Sequence, residues 1–375
     1  MKFSISSTAL FSRLQAVSRV IVNKNSYPIL ECILFQLQDN NLILTASDSE
    51  TTVKTQIAVI DSDSNGEFAL NAKTILESMK EIPEQPLLFD INTENLNIII
   101  KYQNGQYNTI GQPADAYPET IGLGENTVSL TMPSKAVLSG ISKTIFATGN
   151  DEIRPVMNGV YFDVTPDDVT MVASDGHKLV RYKSTSSKGN EKASFILPNK
   201  PANILKALLA KDENEVIIKF DERNAVFTLA DSTTMTCRFI DGRYPNYNSV
   251  IPTDNPYHVT IDRAQFLGAL RRVLIFSSQS SALVKLKLTA NMVVVSGQDI
   301  DFSTSAEEAI PCNFDGQDMS IGFKGTFLCD ILNYMTGDNV IIELADPSRA
   351  GLVIPAEQEE GEDVLMLLMP MMLNE

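Results

Sequence analysis

The stretches that decide the fold are three versions of one unit: FSISSTALFSRLQAVSRVI over 3–21, VSLTMPSKAVLSGISKTIF over 128–146 and VTIDRAQFLGALRRVLIF over 259–276. In each version a short alternating strand leads into apolar residues spaced three and four apart, the spacing of an amphipathic helix. Ser7, the pair Pro133–Ser134 and Asp262 are suited to a helix start. The unit returns roughly every 125 to 130 residues, so the chain is internally repeated.

Three further landmarks follow each copy in the same order. The first is a hairpin, ILFQLQDNNLILTASDSET from Ile33, VYFDVTPDDVTMVASDGHK from Val160 and VKLKLTANMVVVSGQDID from Val284. The second is another strand and helix, over 68–82, 195–210 and 321–335, and the third is a closing hairpin over 96–113, 225–241 and, in degraded form, 351–373. The period exceeds that of solenoid repeats, which is roughly 20–50 residues.

The sequence therefore predicts an α+β protein of three tandem similar domains, each with two helices packed on antiparallel sheets. Turn-rich stretches set the predicted boundaries, giving domains over 1–124, 125–253 and 254–375. The repeat alone does not choose between a duplicated structural module of unknown use and a repeat that carries one shared function.

The composition narrows the class of protein. The chain has 375 residues and a formal charge of −17, and its first residues are too polar for a signal peptide. The longest apolar run, Val364 to Leu373, is too short to span a bilayer. Four isolated cysteines and only two histidines predict reduced thiols and no histidine-based metal site. We expect a cytoplasmic protein without a membrane partner, a metal or a cofactor.

Positive charge is concentrated on the six predicted helices, which carry thirteen basic side chains against four acidic ones, Glu77, Glu81, Asp262 and Asp330. The basic ones are Arg13, Arg19, Lys73, Lys80, Lys135, Lys143, Lys200, Lys206, Lys211, Arg263, Arg271, Arg272 and Lys324. Because Glu normally alternates with Lys on solvated helices, its scarcity favours helices that face a polyanion. A solvated face with a chance bias remains the alternative.

No base-reading motif accompanies these cations. The sequence lacks zinc-finger spacing and a basic leucine zipper, and with 7% aromatics and no Trp it has few base-stacking residues. A duplex binder that contacts phosphates without reading sequence is the class that remains.

A catalytic interpretation centres on Ser174–Asp175–Gly176–His177. A triad is assembled by geometry, and neighbours in sequence do not provide it. The corresponding positions Ser47–Asp48–Ser49 and Gly297–Gln298–Asp299 indicate instead a turn that recurs after a strand. No phosphate-binding glycine motif is present either, so we expect no catalysis.

At these residues the chain resembles a known family, the beta subunit of bacterial DNA polymerase III, over essentially its whole length. The motifs are MKF at the start, YPIL at 27–30, MNGVYF at 157–162, ASDGHKL at 173–179, DGRYPNYNSVIP at 241–252 and LLMPMML at 367–373. The resemblance implies a sliding clamp: a head-to-tail homodimer that forms a ring around double-stranded DNA, with helices lining the hole.

The resemblance also implies partners. They are the catalytic subunit of DNA polymerase III, the clamp-loader complex, and other polymerases and repair proteins that dock through short linear motifs. The implied DNA contacts are Arg13, Lys24, Lys73, Lys80, Lys135, Lys143, Lys200, Arg271 and Arg272. The loop Asn150–Asp151–Glu152 departs from the polar and aromatic residues that the family places there, which leaves contacts from that loop in doubt.

For the dimer, the resemblance implies that Tyr107 packs near Ile275 and Phe276 of the partner. Four acidic residues of domain 3 are expected to face Lys73 or Lys80 across the same interface; they are Asp299, Asp301, Glu307 and Glu308.

For partner peptides, the resemblance implies a groove between domains 2 and 3. Its implied residues are Met157, Ser174, Gly176, His177, Lys178, Leu179, Pro245, Val250, Pro252, Phe327, Ser348, Leu368, Met369, Pro370, Met371, Met372 and Leu373. Unbranched methionines suit a groove that accepts several apolar anchors. The alternative is a tail that plugs its own domain. Ser249 and Ser281 stand where the family pattern has arginine and phenylalanine, and Asn374–Glu375 extend the tail.

Two alternative interpretations also start from repeated domains. One is a hydrolase or ligand-binding enzyme built on repeated α+β domains, which would carry a polar constellation in one domain alone; none is evident. The other is a trimeric clamp with two domains per chain, which the count of three repeats disfavours.

Overall fold

The computed structural model describes residues 1–22 and 27–373, and Lys24 therefore lies outside the described residues. In the part of the chain that the structure describes, six α-helices occur where the repeats predict them. They are α1 (Ser7–Ser18), α2 (Ala72–Lys80), α3 (Ser134–Thr144), α4 (Asn199–Leu209), α5 (Arg263–Leu274) and α6 (Gly325–Tyr334).

Strands follow the repeats with the same regularity. The first repeat contains β1 (Lys2–Ser6), β2 (Cys32–Gln38), β3 (Asn41–Ser47), β4 (Thr51–Ala58), β5 (Asp61–Ser62), β6 (Gly66–Asn71), β7 (Pro86–Ile91), β8 (Asn97–Tyr102) and β9 (Gly105–Ile110). The second contains β10 (Val128–Pro133), β11 (Gly159–Val164), β12 (Val169–Ser174), β13 (Lys178–Ser184), β14 (Ala193–Pro198), β15 (Glu215–Phe220), β16 (Asn224–Thr228) and β17 (Thr234–Arg238).

The third repeat contains β18 (Tyr257–Asp262), β19 (Leu283–Thr289), β20 (Met292–Asp299), β21 (Thr304–Pro311), β22 (Asn313–Phe314), β23 (Met319–Lys324), β24 (Asn339–Leu344), β25 (Gly351–Pro355) and β26 (Glu362–Leu368). All pairings between named strands are antiparallel in the described parts of the chain. The predicted α+β class with two helices in each repeat is confirmed.

The helix starts follow from local polar chemistry. The Ser6 hydroxyl accepts a hydrogen bond from the Ala9 N–H at 3.2 Å, so Ser6 caps α1 and Ser7 is its first residue. Asp262 caps α5 in the predicted way, through the Gln265 N–H at 2.7 Å. A side-chain acceptor at this position satisfies a backbone donor that the helix leaves free.

The chain divides into two compact units. One comprises residues 1–135 and 203–239, and the other residues 136–202 and 240–375. The middle repeat is shared between them because each of its two sheets continues into the sheet of a neighbouring repeat.

In the first unit, one sheet has the order β5-β1-β7-β8-β9 and the other the order β10-β15-β16-β17-β4-β3-β2-β6. The joint in the larger sheet is the β17–β4 pair, in which Thr234 faces Lys54. Phe3 stacks on Phe89 with ring centroids 4.7 Å apart in the core below these sheets.

In the second unit, a nine-stranded sheet has the order β14-β11-β12-β13-β26-β25-β24-β18-β22, and a smaller one the order β21-β20-β19-β23. The joint here is the β13–β26 pair, which runs from Lys178↔Leu368 to Ser184↔Glu362. The C-terminal strand is thus bound into the middle repeat, and this joint forms the frame of the candidate site.

The four cysteines are free thiols. Cys32, Cys237 and Cys329 are buried and Cys312 is half-buried. Burial raises the pKa of Cys32 and Cys329 to about 11, so these thiols are protonated and unreactive.

Candidate functional site

The site begins at the turn between β12 and β13. Asp175 Oδ1 accepts the backbone N–H groups of His177 and Lys178 at 2.8 and 2.9 Å. Gly176 has φ +91°, a conformation that side chains disfavour. Burial opposes ionisation of Asp175, but hydrogen bonds from Lys178 and His177 outweigh it and hold the pKa of the carboxyl below its usual value. The turn is therefore held rigidly by these hydrogen bonds, and it carries the negative charge of Asp175 at the edge of the site.

The seryl hydroxyl of this turn has a structural role. Ser174 Oγ donates to the Lys178 carbonyl at 2.8 Å and accepts the Gly176 N–H at 3.1 Å. Its bonds close the turn, and the His177 ring is exposed at the surface. Nothing in this geometry activates a nucleophile.

The same turn occurs in all three repeats, with one correction to the predicted alignment. Asp48 Oδ1 accepts from Glu50 and Thr51, and Asp299 Oδ1 accepts from Asp301 and Phe302. Asp299 is therefore the counterpart of Asp48 and Asp175, one residue away from the register Gly297–Gln298–Asp299 that the sequence suggested. The longer turn in the third repeat conceals this correspondence in the sequence.

A cation–aromatic cluster stands beside the turn. Lys178 is buried, with its Nζ 2.6 Å from Asp175 Oδ2 and 4.0 Å from the Phe327 ring centroid. Lys324 approaches the same ring with its Nζ 4.6 Å from the centroid. Both ammonium groups are attracted to the electrons of the aromatic ring, and these contacts hold the ring in position.

The floor of the site is apolar. Val172, Leu179, Ile196, Tyr244, Tyr247, Leu352, Leu365 and Leu367 form one buried cluster. Val156, Tyr161, Ile240, Ile251, Ala350 and Ile354 pack against it. Tyr161 stacks on Tyr244 at 4.7 Å, which joins the segment after β17 to the sheet.

The C-terminal tail leaves the sheet after Leu368, the last residue of β26. The Met369 N–H donates to the His177 carbonyl at 3.0 Å, and Pro370 follows without a donor. Two residues after Met369, the Met371 N–H bonds the Gly322 carbonyl on β23 at 2.8 Å. Met369 and Met372 are exposed, so the tail presents methionines to solvent beside the turn.

The structure brings together most of the predicted groove residues. Contacts join the Asp175 turn, Phe327 and the tail, while Leu179 belongs to the apolar floor. Pro245, Val250 and Pro252 lie in the segment that carries Tyr244 and Tyr247. Met157 lies in the segment after Arg154 and is buried. Ser348 is not joined by any of these bonds: its hydrogen bonds are to Asp346 in its own loop.

Sequence reasoning missed two cations of the site. Arg154 donates to the Asp175 carbonyl at 3.4 Å and pairs with Asp151 at 2.9 Å. Lys324 was assigned only to a helix, although its ring contact joins it to the groove. Their positions, three residues before Met157 and three residues before Phe327, were the only available signal.

The predicted DNA contacts divide by exposure. Lys73, Lys80, Lys135, Arg271 and Arg272 are exposed, whereas Arg13 and Lys200 are half-buried. Arg13 pairs with Asp231, and Arg272 pairs with Glu308 at 2.5 Å. Arg19, the residue that follows α1, and Lys80, on α2, line one surface groove between these helices.

Lys143 is a correction. It is 7% exposed, and its Nζ lies 2.5 Å from Glu362 Oε2 and 3.7 Å from Glu359 Oε1. A buried ammonium committed to carboxylates does not meet a phosphate, so the prediction for Lys143 was wrong. The helical spacing placed the residue on a helix correctly but did not reveal the acidic strand packed over it.

The predicted dimer residues lie on separate units. Tyr107 is half-buried on β9, the last strand of its sheet, and its ring is tilted against that of Tyr102, with the centroids 5.2 Å apart. Ile275 and Phe276 are exposed immediately after α5.

Two observations bear on other chemistry. Residues 1–22 and 27–373 hold no group of three or more His, Cys, Asp or Glu side chains that could bind a metal ion. Within those ranges no helix is both long and apolar enough to cross a membrane.

Comparisons with known proteins match this arrangement. Family models of the DNA polymerase III beta subunit match residues 1–121 (N-terminal domain), 131–246 (central domain) and 248–372 (C-terminal domain). The beta sliding clamp of Haemophilus influenzae is 27% identical over 98% of this chain and 99% of its own length. That of Escherichia coli is 24% identical over the full length of both chains.

Solved structures agree. A sliding clamp from Pseudomonas aeruginosa, determined with griselimycin bound, has a TM-score of 0.92 and 26% identity over 100% of both chains. The beta subunit from Thermotoga maritima has the same fold, with a TM-score of 0.91, 23% identity and 100% coverage of both chains.

Proposed function

The chain belongs to the DNA polymerase III beta subunit family, and on that premise we propose that it is a DNA sliding clamp. Two copies form a ring around duplex DNA and tether the replicative polymerase, without catalysis by the clamp itself. We place the domain boundaries at 124/125 and 253/254. The observation that carries the proposal is the edge-to-edge joining of the repeated sheets.

The joining follows one pattern. In each repeat, the sheet that contains the first hairpin is called the hairpin sheet, and the sheet that contains the closing hairpin is called the closing sheet. The hairpin sheet of repeat one, which ends at β4, pairs with the closing sheet of repeat two, which ends at β17. The hairpin sheet of repeat two pairs with the closing sheet of repeat three in the same way, through β13 and β26. The equivalent strands left at the ends of their sheets are β21 of repeat three and β9 of repeat one. Pairing β21 with β9 of a second copy closes the pattern and removes both edges.

The internal joints also supply the register. Lys54 faces Thr234 and Arg181 faces Leu365. When the three hairpins are aligned on Asp48, Asp175 and Asp299 and on the residues that pair with them across the turn, Glu307 is the counterpart of Lys54 and Arg181. In each closing sheet the count starts at the third residue of the first strand and follows the strand pairings through the middle strand to the last one. It makes Gln106 the counterpart of Thr234 and Leu365. Gln106 therefore faces Glu307 of the partner, and Thr109 faces Thr304.

The unpaired backbone groups support this register. The Gly111 N–H points to Leu96 on the β8 side, and alternate residues point to opposite sides. Gln106, Asn108 and Ile110 therefore direct their N–H groups to the free edge. The Cys312 N–H points to Asn291 on the β20 side, so Ser305, Glu307 and Ala309 face the other free edge. The residues that the register pairs are those with free donors and acceptors.

The side chains refine the dimer prediction. The register brings Tyr107 opposite Ala306, next to the end of α5 where Ile275 and Phe276 are exposed. Glu308 is neutralised by Arg272 of its own chain, and Asp299 caps its own turn. Glu307 and Asp301 are the acidic residues that we assign to Lys73 or Lys80 of the partner.

A cysteine pair tests the dimer. Thr109 and Thr304 form a pair without mutual backbone bonds in this register, with Cα atoms about 4.5 Å apart, which a disulfide spans. Oxidised Thr109→Cys/Thr304→Cys protein should run as a covalent dimer in denaturing gels. The matched control, Thr109→Cys/Ala306→Cys, is displaced by two residues, about 7–8 Å apart, and should link poorly. Equal linking of both variants would contradict the register, and an unlinked monomer at micromolar concentration would contradict the dimer.

DNA is held by enclosure in this proposal, so weak, screened phosphate contacts suffice. The cations that we assign to it are Arg13, Lys73, Lys80, Lys135, Lys200, Arg271 and Arg272, with Arg19 added because it lines the groove with Lys80. Protein loaded on nicked circular DNA should remain bound in moderate salt and be released when the circle is linearised. Equal retention on both forms would refute enclosure.

Partner peptides dock, we propose, against the Asp175 turn, Phe327 and the tail. Exposed methionines over an apolar floor suit linear motifs with Leu and Phe anchors from the polymerase, the clamp loader and repair proteins. A labelled peptide from the C-terminus of the cognate polymerase catalytic subunit tests this by fluorescence anisotropy. Removal of 371–375 should abolish binding and leave the dimer intact, whereas unchanged affinity would show that the groove is elsewhere.

A further inference from the structure

The turn between β20 and β21 carries an exposed apolar pair. Ile300 and Phe302 are each 79% exposed. The turn that carries them is ordered: Asp299 Oδ1 holds two of its N–H groups at 3.1 and 3.2 Å, and the Ser303 N–H bonds the Ile300 carbonyl at 3.2 Å. An ordered turn that holds two large apolar side chains in water is typical of an interaction surface.

The equivalent turns of the other repeats are shorter and lack such side chains. Two residues separate Asp48 from Thr51, namely Ser49 and Glu50, and two separate Asp175 from Lys178, namely Gly176 and His177. In the third repeat, Ile300–Ser303 fill the same interval. The extra length and both apolar side chains are thus confined to one of three equivalent positions.

That position differs in one physical respect, given the proposed dimer. The first two joints connect parts of one chain, so covalent linkage gives them a high effective concentration. The third joins separate chains and must overcome the entropy of association. Additional apolar burial is therefore needed at the third joint and not at the others.

The register supplies the contact. Arg238 donates its N–H to Glu50 O, and Met369 donates to His177 O, in the two internal joints. The counterpart in the dimer is Ile110 of one copy and Ser303 of the other, which brings the turn level with Ile110. Ile110 is 75% exposed and pairs with Asn97 of β8 in its own chain.

We propose that Ile300 and Phe302 are hydrophobic anchors that pack on the Ile110 region of a second copy and strengthen the dimer. This inference rests on the proposed head-to-tail dimer. The turn acts only between chains, so it affects association and leaves the fold of each copy unchanged.

Sedimentation velocity across nanomolar to micromolar concentrations tests the inference. Ile300→Ser/Phe302→Ser should raise the dimer dissociation constant about 10- to 100-fold, from the apolar area left uncovered. Replacement of 300–303 by Ser-Glu, the turn of the first repeat, should have the same effect. Ile153→Ser is the matched control, because Ile153 is 89% exposed and lies outside the proposed interface; its dissociation constant should equal that of the unmodified chain.

The outcomes separate the two proposals. A dissociation constant within twofold of the unmodified chain for both turn variants, with cross-linking at 109 and 304 retained, would overturn the anchor and leave the dimer standing. An unmodified chain that stays monomeric would overturn both.

Discussion

The burial of Lys143 leads to a prediction that separates structural from DNA-facing cations on one helix. Lys143 and Glu362 are 8% and 9% exposed in their side chains, and the Tyr182 hydroxyl donates to Glu362 Oε1 at 3.0 Å. Lys143→Met keeps the aliphatic packing but leaves the Glu362 carboxylate with Tyr182 alone. Removing one member of a buried ion pair destabilises a protein by about 3–5 kcal/mol.

The double variant Lys143→Met/Glu362→Gln removes both charges, so it should recover most of that loss. Urea unfolding followed by circular dichroism measures both effects. Lys135, exposed on the same helix, is the matched control: Lys135→Ala should leave stability within about 0.5 kcal/mol. It should also reduce the salt dependence of DNA binding by about one phosphate contact.

Lys143→Met should leave the salt dependence of DNA binding unchanged. A Lys143→Met protein as stable as the unmodified chain, but with weaker salt-dependent DNA binding, would refute the assignment of Lys143 to the Glu362 pair.

Three other variants probe the packing of the site. Gly322→Ala places a Cβ 2.7 Å from Met371 O and 2.8 Å from Leu373 Cδ2, so it should displace the tail and lower peptide affinity in anisotropy, whereas Gly122→Ala, in open space, should not. Gly140→Ala drives a Cβ into Met171 and Tyr182 and should destabilise by about 1–3 kcal/mol in urea, while Gly268→Ala, which meets only the far end of Arg272, should not destabilise. The folded-state pKa of Asp175 lies below its unfolded value, so the stabilisation by its carboxylate is complete above that unfolded value, about 3.9, and is lost as pH falls through the folded pKa. Asp175→Asn should therefore be less stable than the unmodified chain at pH 6, and the difference should shrink below about pH 4. A pH series of urea titrations would detect this.

The sequence was sufficient for the architecture because the repeated signals are local. Helix spacing, capping residues such as Asp262, and alternating hairpins are set within a few residues, so six helices and their order could be read directly. The free thiols depend equally on local composition. These features need no knowledge of which strands meet.

Tertiary contacts limited the rest. Lys143 looked like a surface cation because its partner Glu362 lies 219 residues away. The counterpart of Asp175 in the third repeat was misaligned by one residue because the longer turn after Asp299 hides the correspondence. Arg154 and Lys324 were missed since neither belongs to a motif; only the ring of Phe327 and the carbonyl of Asp175 give them a role.

One turn shows how a duplicated module acquires different tasks. In each repeat an aspartate fixes the turn after the second hairpin strand, and the next strand pairs at its start with a neighbouring sheet or is free to do so. The turn residues are then free to vary, because the backbone is held by Asp48, Asp175 and Asp299 and, in the first two repeats, by the serine before the aspartate. Glu50 forms an ion pair with Arg238 at 3.4 Å within the chain, and Gly176 and His177 face the proposed peptide groove. Ile300 and Phe302 take the same position at the joint that we assign to a second copy. The side chains at this point of the module therefore follow from what lies across the joint: a tethered strand, a partner peptide or another chain.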